Sequence, residues 1–300
     1  MSSILSVKNI SKSYGRIQAL KGVTFDIPGG SVFGILGPNG SGKTTLLGIV
    51  MDVLRASGGE YSWFGNRPTE KQRREIGTLL ETPNFYHYLS GERNLEISAA
   101  IKNKPENDIV RVLKLVRLYE RKDSKFQTYS LGMKQRLAIA ACLLGDPSVL
   151  VFDEPTNGLD PSGIAEIRQL IIDLAKQGKT IILASHLLSE VEKVCTHVAI
   201  LQQGQLLKSG EVQTILSNAE WLEVSAPDRE KLRAILNGFP GVKKIITTDN
   251  HLEVYLSASI VHPEQLNQYC FENGIVLDHL QVRKKSLESE FIELTHNVSN

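Results

Sequence analysis

The chain has 300 residues, a two-domain length at roughly 150 residues per domain. Its 34 Lys and Arg nearly balance 33 Asp and Glu, and the net charge of +1 excludes an overall field strong enough to draw it to nucleic acid or a lipid surface. With 41% hydrophobic and 22% charged residues, the composition excludes intrinsic disorder and permits sizeable buried cores. The longest apolar run, Leu137 to Gly145, is far short of the roughly 20 residues of a membrane-spanning helix. Residues 1–15 hold no apolar stretch of signal-peptide length. The expectation is a soluble, cytoplasmic chain that reaches a membrane only through a partner. Cys142, Cys195 and Cys270 are odd in number and scattered, which suits a reducing compartment and argues against a disulfide framework.

In chain order, Val23, Phe25 and Ile27 alternate with polar residues as a half-buried strand does. Ser31 to Leu36 is a short buried strand running into a glycine-rich turn, and Thr44 to Arg55 reads as a helix. Ile109, Val112, Leu113 and Val116 have helical spacing, and the segment from Asn84 to Leu144 reads as a mostly helical lobe. Ser148 to Asp153 and Thr180 to Ser185 are buried strands, joined by a helix with Ile164, Ile167, Ile171 and Leu174 on one face. This alternation predicts an α/β domain with a mostly parallel sheet over residues 1–216, carrying a helical subdomain at about 84–144. From 217 to 300 the pattern changes. Strands at Trp221 to Ser225, Val242 to Thr247, Leu252 to Leu256 and Ile275 to Val282 alternate with helices around Leu232 and after Pro263, and a last helix spans Ser286 to Leu294. That order, βαββαβ plus a helix, predicts a small ferredoxin-like α+β domain.

Residues Gly37, Pro38, Asn39, Gly40, Ser41, Gly42, Lys43, Thr44 and Thr45 contain G-x-x-x-x-G-K-[ST], the phosphate-binding loop. Its glycines let backbone N–H groups turn inward around an anion, and the helix behind adds partial positive charge. Lys43 suits the β- and γ-phosphates and the Thr44 hydroxyl suits Mg²⁺. At Val149 to Glu154 an apolar run ends in two carboxylates. Asp153 is expected to hold Mg²⁺, and Glu154 to polarise the attacking water as general base. Together these elements predict a nucleoside triphosphatase.

Tyr129-Ser130-Leu131-Gly132-Met133-Lys134-Gln135-Arg136 resembles the signature motif of ATP-binding cassette (ABC) ATPases. Gly158-Leu159-Asp160 resembles that family's D-loop, His186 its switch histidine, and Tyr14 the aromatic that stacks on adenine. The resemblance covers about residues 4–210. It implies a P-loop ABC cassette that binds ATP and Mg²⁺ and pairs head to tail, as a homodimer or a heterodimer. Ser130, Leu131, Gly132 and Met133 of one subunit would then face the γ-phosphate bound by the other. It also implies an integral membrane permease as partner and a peripheral position on the inner face of the membrane. Each residue has a structural alternative: Ser130 as an N-cap, His186 as a core or helix-start histidine, Tyr14 as an edge-strand aromatic, and Asp160 before Pro161 as a helix cap. The other six histidines have no metal-ligand spacing and read as structural or surface groups.

Two departures stand out. Glu81 occupies the place where most of the family has a glutamine that touches Mg²⁺ or the water; a carboxylate is also a hard oxygen ligand. Leu131 and Met133 replace the common Gly and Gln of the signature, while Ser130 and Gly132 are kept. The turn at Glu81-Thr82-Pro83, the signature, and the segment Ser286 to Thr295 are similar to the branch that serves bacitracin, lantibiotic and multidrug-type exporters. The competing reading is a non-transport ABC ATPase acting on a nucleic-acid or ribosomal partner. No zinc-finger spacing or basic tract with interleaved aromatics supports a nucleic-acid partner.

Overall fold

The computed structural model describes residues 3–80, 84–216, 220–257, 263–284 and 286–296. The chain divides into two compact units, residues 1–212 and 213–300. The pattern change at 216/217 therefore lies slightly past the structural division.

In the first unit β1 (Ser3–Tyr14) and β2 (Ile17–Pro28) form a hairpin, and β3 (Val32–Leu36) leads into α1 (Lys43–Val50). Next come β4 (Gly58–Trp63), α2 (Glu70–Arg74) and β5 (Ile76–Leu79). Three helices follow, α3 (Gly91–Lys102), α4 (Asp108–Leu115) and α5 (Leu131–Leu143), with two short 3-10 turns before α5. The unit closes with β6 (Val149–Asp153), α6 (Pro161–Lys176), β7 (Thr180–Ser185), α7 (Leu188–Val194), β8 (His197–Gln202), β9 (Gln205–Glu211) and the start of α8 (Val212–Leu216).

The main sheet has the order β5-β6-β7-β3-β8-β9, parallel except for the β8–β9 pair. β3, β6 and β7 are buried at every residue, as expected for central parallel strands covered on both faces. A second sheet, antiparallel with order β2-β1-β4, was not apparent as a sheet in the sequence. Its inward residues Leu5, Val7, Ile10, Leu20, Val23, Phe25 and Ile27 join one core with Leu46, Leu47 and Ile49 of α1. Trp63 is fully buried there and its Nε1 donates to the Val50 carbonyl at 2.8 Å. This satisfies one of the unpaired carbonyls at the end of α1.

α1 is shorter than the sequence pattern suggests. Asp52 takes a left-handed conformation (φ 62°), and the amides of Val53 and Leu54 both turn back to the Gly48 carbonyl. The apolar periodicity runs on past the point where the backbone leaves the helix. All three cysteines are buried and unbridged, and burial pushes the Cys142 thiol up to about 11.

α3 and α4 are fastened to the C-terminal end of α5. Lys102 Nζ donates to the Ala141 carbonyl at 2.7 Å and Arg111 Nη2 to the Leu143 carbonyl at 3.0 Å, placing cations at the negative pole of the helix. Asp108 accepts from the Gly145 amide at 2.7 Å and from Arg111 Nη2 at 2.9 Å.

The second unit comprises β10 (Glu220–Ser225), α9 (Arg229–Leu236), β11 (Val242–Thr247), β12 (Leu252–Leu256), α10 (Pro263–Glu272), β13 (His279–Lys284) and α11 (Leu287–His296). Its sheet has the order β11-β12-β10-β13, wholly antiparallel, which is the ferredoxin-like arrangement of a βαββαβ chain. Leu222, Val224, Leu232, Leu236, Leu252, Val254 and Leu266 form its own core. Ile275, expected to begin the last strand, is instead a buried loop residue, and β13 starts only at His279.

Burial pushes the Asp108 carboxyl up, but the Arg111 guanidinium and the Gly145 amide outweigh it and hold it below its ordinary 3.8. A carboxylate with a lowered folded-state pKa contributes stability above its unfolded value and loses it as pH falls through the folded one. Asp108→Asn is therefore expected to cost about 1–3 kcal/mol at pH 7. The difference in urea midpoint from the parent should shrink as pH drops below about 4.

Candidate nucleotide site

Three parallel strands end level with one another. Leu36 of β3 is paired with Ser185 of β7, and Asp153 of β6 with Ala184 of β7. The residues that follow these ends meet at the carboxyl edge of the sheet, where open α/β sheets bind ligands.

After β3 the chain turns through Gly37–Gly42 into α1. Gly40 and Gly42 have left-handed φ values of 81° and 105°. A Cβ on Gly37 would lie 2.2 Å from the Leu201 carbonyl, and one on Gly42 would lie 2.8 Å from the Ala19 carbonyl. A Cβ on Gly40 would meet nothing within 4 Å. The Gly204 amide donates to the Ser41 carbonyl at 3.0 Å, which pins the loop to the β8–β9 turn. Pro38, Asn39 and Gly40 form its exposed lip. The first turn of α1 carries no acidic residue to offset its positive pole. The Ser41 hydroxyl is buried and has no hydrogen-bond partner among the described residues.

Lys43 is 5% exposed, and its Nζ donates to the carbonyls of Gly37 at 2.8 Å and Pro38 at 3.2 Å. The same Nζ lies 3.3 Å from Glu154 Oε1. His186 Nδ1 is 2.8 Å from Glu154 Oε2, and facing a carboxylate it must be the donor. Lys43, Glu154 and His186 thus form a chain of charge-assisted contacts contributed by the first turn of α1 and the residues just after β6 and β7. Glu154 holds a positive φ of 48° while its amide donates to the Ala184 carbonyl at 3.0 Å. A left-handed conformation at a non-glycine residue stores strain that the surrounding structure must hold.

Asp153 is buried at the end of β6, while Thr44 is exposed and Thr45 half-buried in the first turn of α1. A carboxylate and a hydroxyl are hard oxygen donors, which fit Mg²⁺. The tight glycine loop before α1, the buried ammonium of Lys43 and the buried Ser41 hydroxyl fit a polyphosphate. Glu81 lies outside the described residues.

Tyr14 stands at the tip of the β1–β2 hairpin, 46% exposed, with Lys12 Nζ 4.9 Å from its ring centroid. β4 pairs with β1 only as far as Ser11, so at Tyr14 the strand pairs with β2 alone and its other edge is open.

Ser130 is exposed and caps α5, accepting from the Met133 amide at 3.3 Å. A hydroxyl that accepts through a lone pair still has its O–H to donate. Asp160 caps α6 by accepting from the Gly163 amide at 2.9 Å. Ser130, Leu131, Gly132, Met133 and Asp160 border one surface cavity of about 430 Å³, lined by none of residues 37–45. Arg136 Nε, 3.5 Å from Glu166, ties α5 to α6 beside it. Local sequence carries no signal for this link, or for the contribution of Ala19, Leu201 and Gly204 to the loop's shape, because the partners come from distant strands and turns.

The fold and this site define a P-loop nucleoside triphosphatase. Residues 20–157 match the family model described as ABC transporter. YhcH of Bacillus subtilis, an uncharacterized ABC transporter ATP-binding protein, is 37% identical and aligns over 98% of this chain and 97% of its own. The bacitracin transport ATP-binding protein BcrA of Bacillus licheniformis is 34% identical over 98% of each chain. A dimeric ATP-binding cassette in a post-hydrolysis state, bound to ADP and phosphate, superposes with a TM-score of 0.62 at 26% identity, covering 69% of this chain and 98% of its own. The chain belongs to the ATP-binding proteins of ABC transporters. It is a nucleotide-binding ATPase subunit.

The glycine geometry sets a graded test. Gly37→Ala and Gly42→Ala drive a Cβ into backbone and are expected to abolish binding of a fluorescent ATP analogue. Gly40→Ala carries only the cost of its left-handed φ, about 1–2 kcal/mol, and is expected to retain measurable binding in the same titration.

Proposed function

We propose that the chain is the ATPase subunit of an exporter of the bacitracin- and lantibiotic-resistance type, acting on a separate integral membrane permease. The observation that carries this reading is the extent of the likeness to BcrA, which runs through the second unit as well as the cassette. No helix among the described residues is long and apolar enough to cross a membrane, so the membrane passage falls to a partner chain. The subunit would then sit peripherally, on the cytoplasmic face.

A groove beside α3 suits the permease contact. It is lined by Asn84, Phe85, Tyr86, Ile97 and Ile101, and Tyr86, Tyr88 and Ile101 are exposed at 51%, 67% and 80%. Clustered exposed apolar side chains of this kind mark protein interfaces.

At the nucleotide site, Tyr14 stacks on the adenine and residues 37–45 hold the phosphates. Thr44 and Asp153 would hold Mg²⁺, which neutralises charge on the phosphate oxygens when bound. Lys43 exchanges Glu154 for a γ-phosphate oxygen. Glu154, still oriented by His186, is then released to take a proton from the attacking water. Ser130 and the Gly132 amide, at the N-terminus of α5, complete the site from a second subunit, with Asp160 beside them. They donate to the same γ-phosphate, so hydrolysis removes the group that joins the two subunits.

Glu154→Gln is expected to lower ATP turnover by about 10²–10⁴-fold while ATP binding persists. Unchanged turnover would remove Glu154 from the role of base. The exporter reading is tested by affinity capture of the tagged chain from detergent-solubilised native membranes. The expected result is one multi-spanning protein without its own ATPase in near-stoichiometric amount, lost in Ile101→Glu. Capture of ribosomes or nucleic acid instead would replace export with a non-transport role.

A further inference from the structure

The outer face of the second unit's sheet carries a cluster that the cassette does not use. Leu222 and Val224 of β10 and Leu252 and Val254 of β12 point into the core. Side chains alternate along a strand, so Glu223, His251 and Glu253 share the opposite face. Glu223 and Glu253 are direct cross-strand partners. Like charges directly opposite one another destabilise a sheet unless a cation offsets them.

Arg283 of β13 offsets only part of this charge. Its Nε lies 2.9 Å from Glu223 Oε2, and His279 Nε2 approaches the same oxygen at 3.8 Å. The other oxygen, Oε1, faces His251 Nε2 at 3.5 Å. Glu253 Oε2 accepts from the Tyr255 hydroxyl at 3.0 Å, which orients that carboxylate. His251 is held by its own backbone: its amide donates to Thr248 Oγ1 at 3.2 Å, and its carbonyl accepts from the Thr248 amide at 3.0 Å. The ligand atoms of Glu223, His251 and Glu253 all lie within 4.8 Å of one another, the one such group of three among the described residues.

We propose that Glu223, His251 and Glu253 form a binding site for a divalent transition metal of the zinc class. Zinc–ligand bonds of about 2.0–2.2 Å in a tetrahedron put neighbouring ligand atoms about 3.3–3.6 Å apart, a range that holds the 3.5 Å separation between Glu223 Oε1 and His251 Nε2. One imidazole with two carboxylates selects zinc-like ions over Mg²⁺ and Ca²⁺, which favour all-oxygen shells. Arg283 and Tyr255 act from outside the ligand set, each fixing the carboxylate that it bonds. His251 is partly exposed, so the fourth position opens to solvent. Spacing along the chain does not show the site, because its ligands come from two strands that meet only in the folded sheet.

The test uses the full-length protein, stripped with EDTA and titrated with Zn²⁺ against a chromogenic chelator, with Co²⁺ absorption as a second readout. The expected result is a site whose affinity falls about a hundredfold in His251→Gln and in Glu253→Gln, together with visible Co²⁺ bands that both variants lose. Thermal melting of each variant in EDTA, at the parent's midpoint, confirms that the fold is kept; the Zn²⁺-induced rise in that midpoint should be missing. No Zn²⁺ binding by the parent, or the same affinity and Co²⁺ spectrum in both variants, would overturn the site and leave an ion-pair network around Arg283.

Discussion

The register of β6, β7 and β3 is the constraint on which the site depends. These strands run parallel, and the pairs Leu36–Ser185 and Asp153–Ala184 bring their ends level. Lys43, Glu154 and His186 are distant in sequence, yet Glu154 and His186 directly follow two of these ends, and the loop after β3 returns Lys43 to them. A slip of one residue in either pairing would turn the strands' side chains to the wrong face and separate the three. The buried apolar runs of these strands, Val149 to Phe152 and Ile181 to Ala184 among them, hold the register, and the hydrophobic core thereby also sets the distances among Lys43, Glu154 and His186. Helix α1 is positioned from its other side by Trp63 and the antiparallel sheet.

Glu154 illustrates how such a scaffold supports a conformation that local preference disfavours. Its φ of 48° is held by the Ala184 carbonyl on the backbone side, with Lys43 and His186 on the carboxylate side. The same contacts that steady the carboxylate also keep it next to a cation. In the proposed cycle that pairing is exchanged for phosphate, which couples the arrival of the substrate to the release of the base.

Much of this site was legible in the sequence because its chemistry is local. The loop at 37–45, the Asp153-Glu154 pair and the signature at 129–136 are contiguous, and each sits where a strand or helix boundary can be read. The buried strands at 148–153 and 180–185 were legible by their unbroken apolar runs. Less was visible where pairing partners are remote. The antiparallel sheet of β1, β2 and β4 has bulged, irregular registers that blur the two-residue period. The end of α1 is set by Asp52 and Gly48 rather than by apolar spacing. Ile275 is apolar because it fills the second unit's core, not because it belongs to β13. The Glu223–His251–Glu253 cluster exists only after β10 and β12 pair.

In the proposed pairing, the phosphate loop of one subunit and Ser130 with Asp160 of the other act together, so activity requires a second copy or a related chain. Mixing two inactive variants tests this directly. Lys43→Ala removes the phosphate lysine and Ser130→Ala the signature hydroxyl. In a mixed pair one site keeps both an intact Lys43 and an intact Ser130, while the other loses both. The expected result is that neither variant hydrolyses ATP alone and that the equimolar mixture recovers a substantial fraction of the parent's rate. A mixture as inactive as its components, with mixed pairs shown to form, would contradict a site shared between subunits.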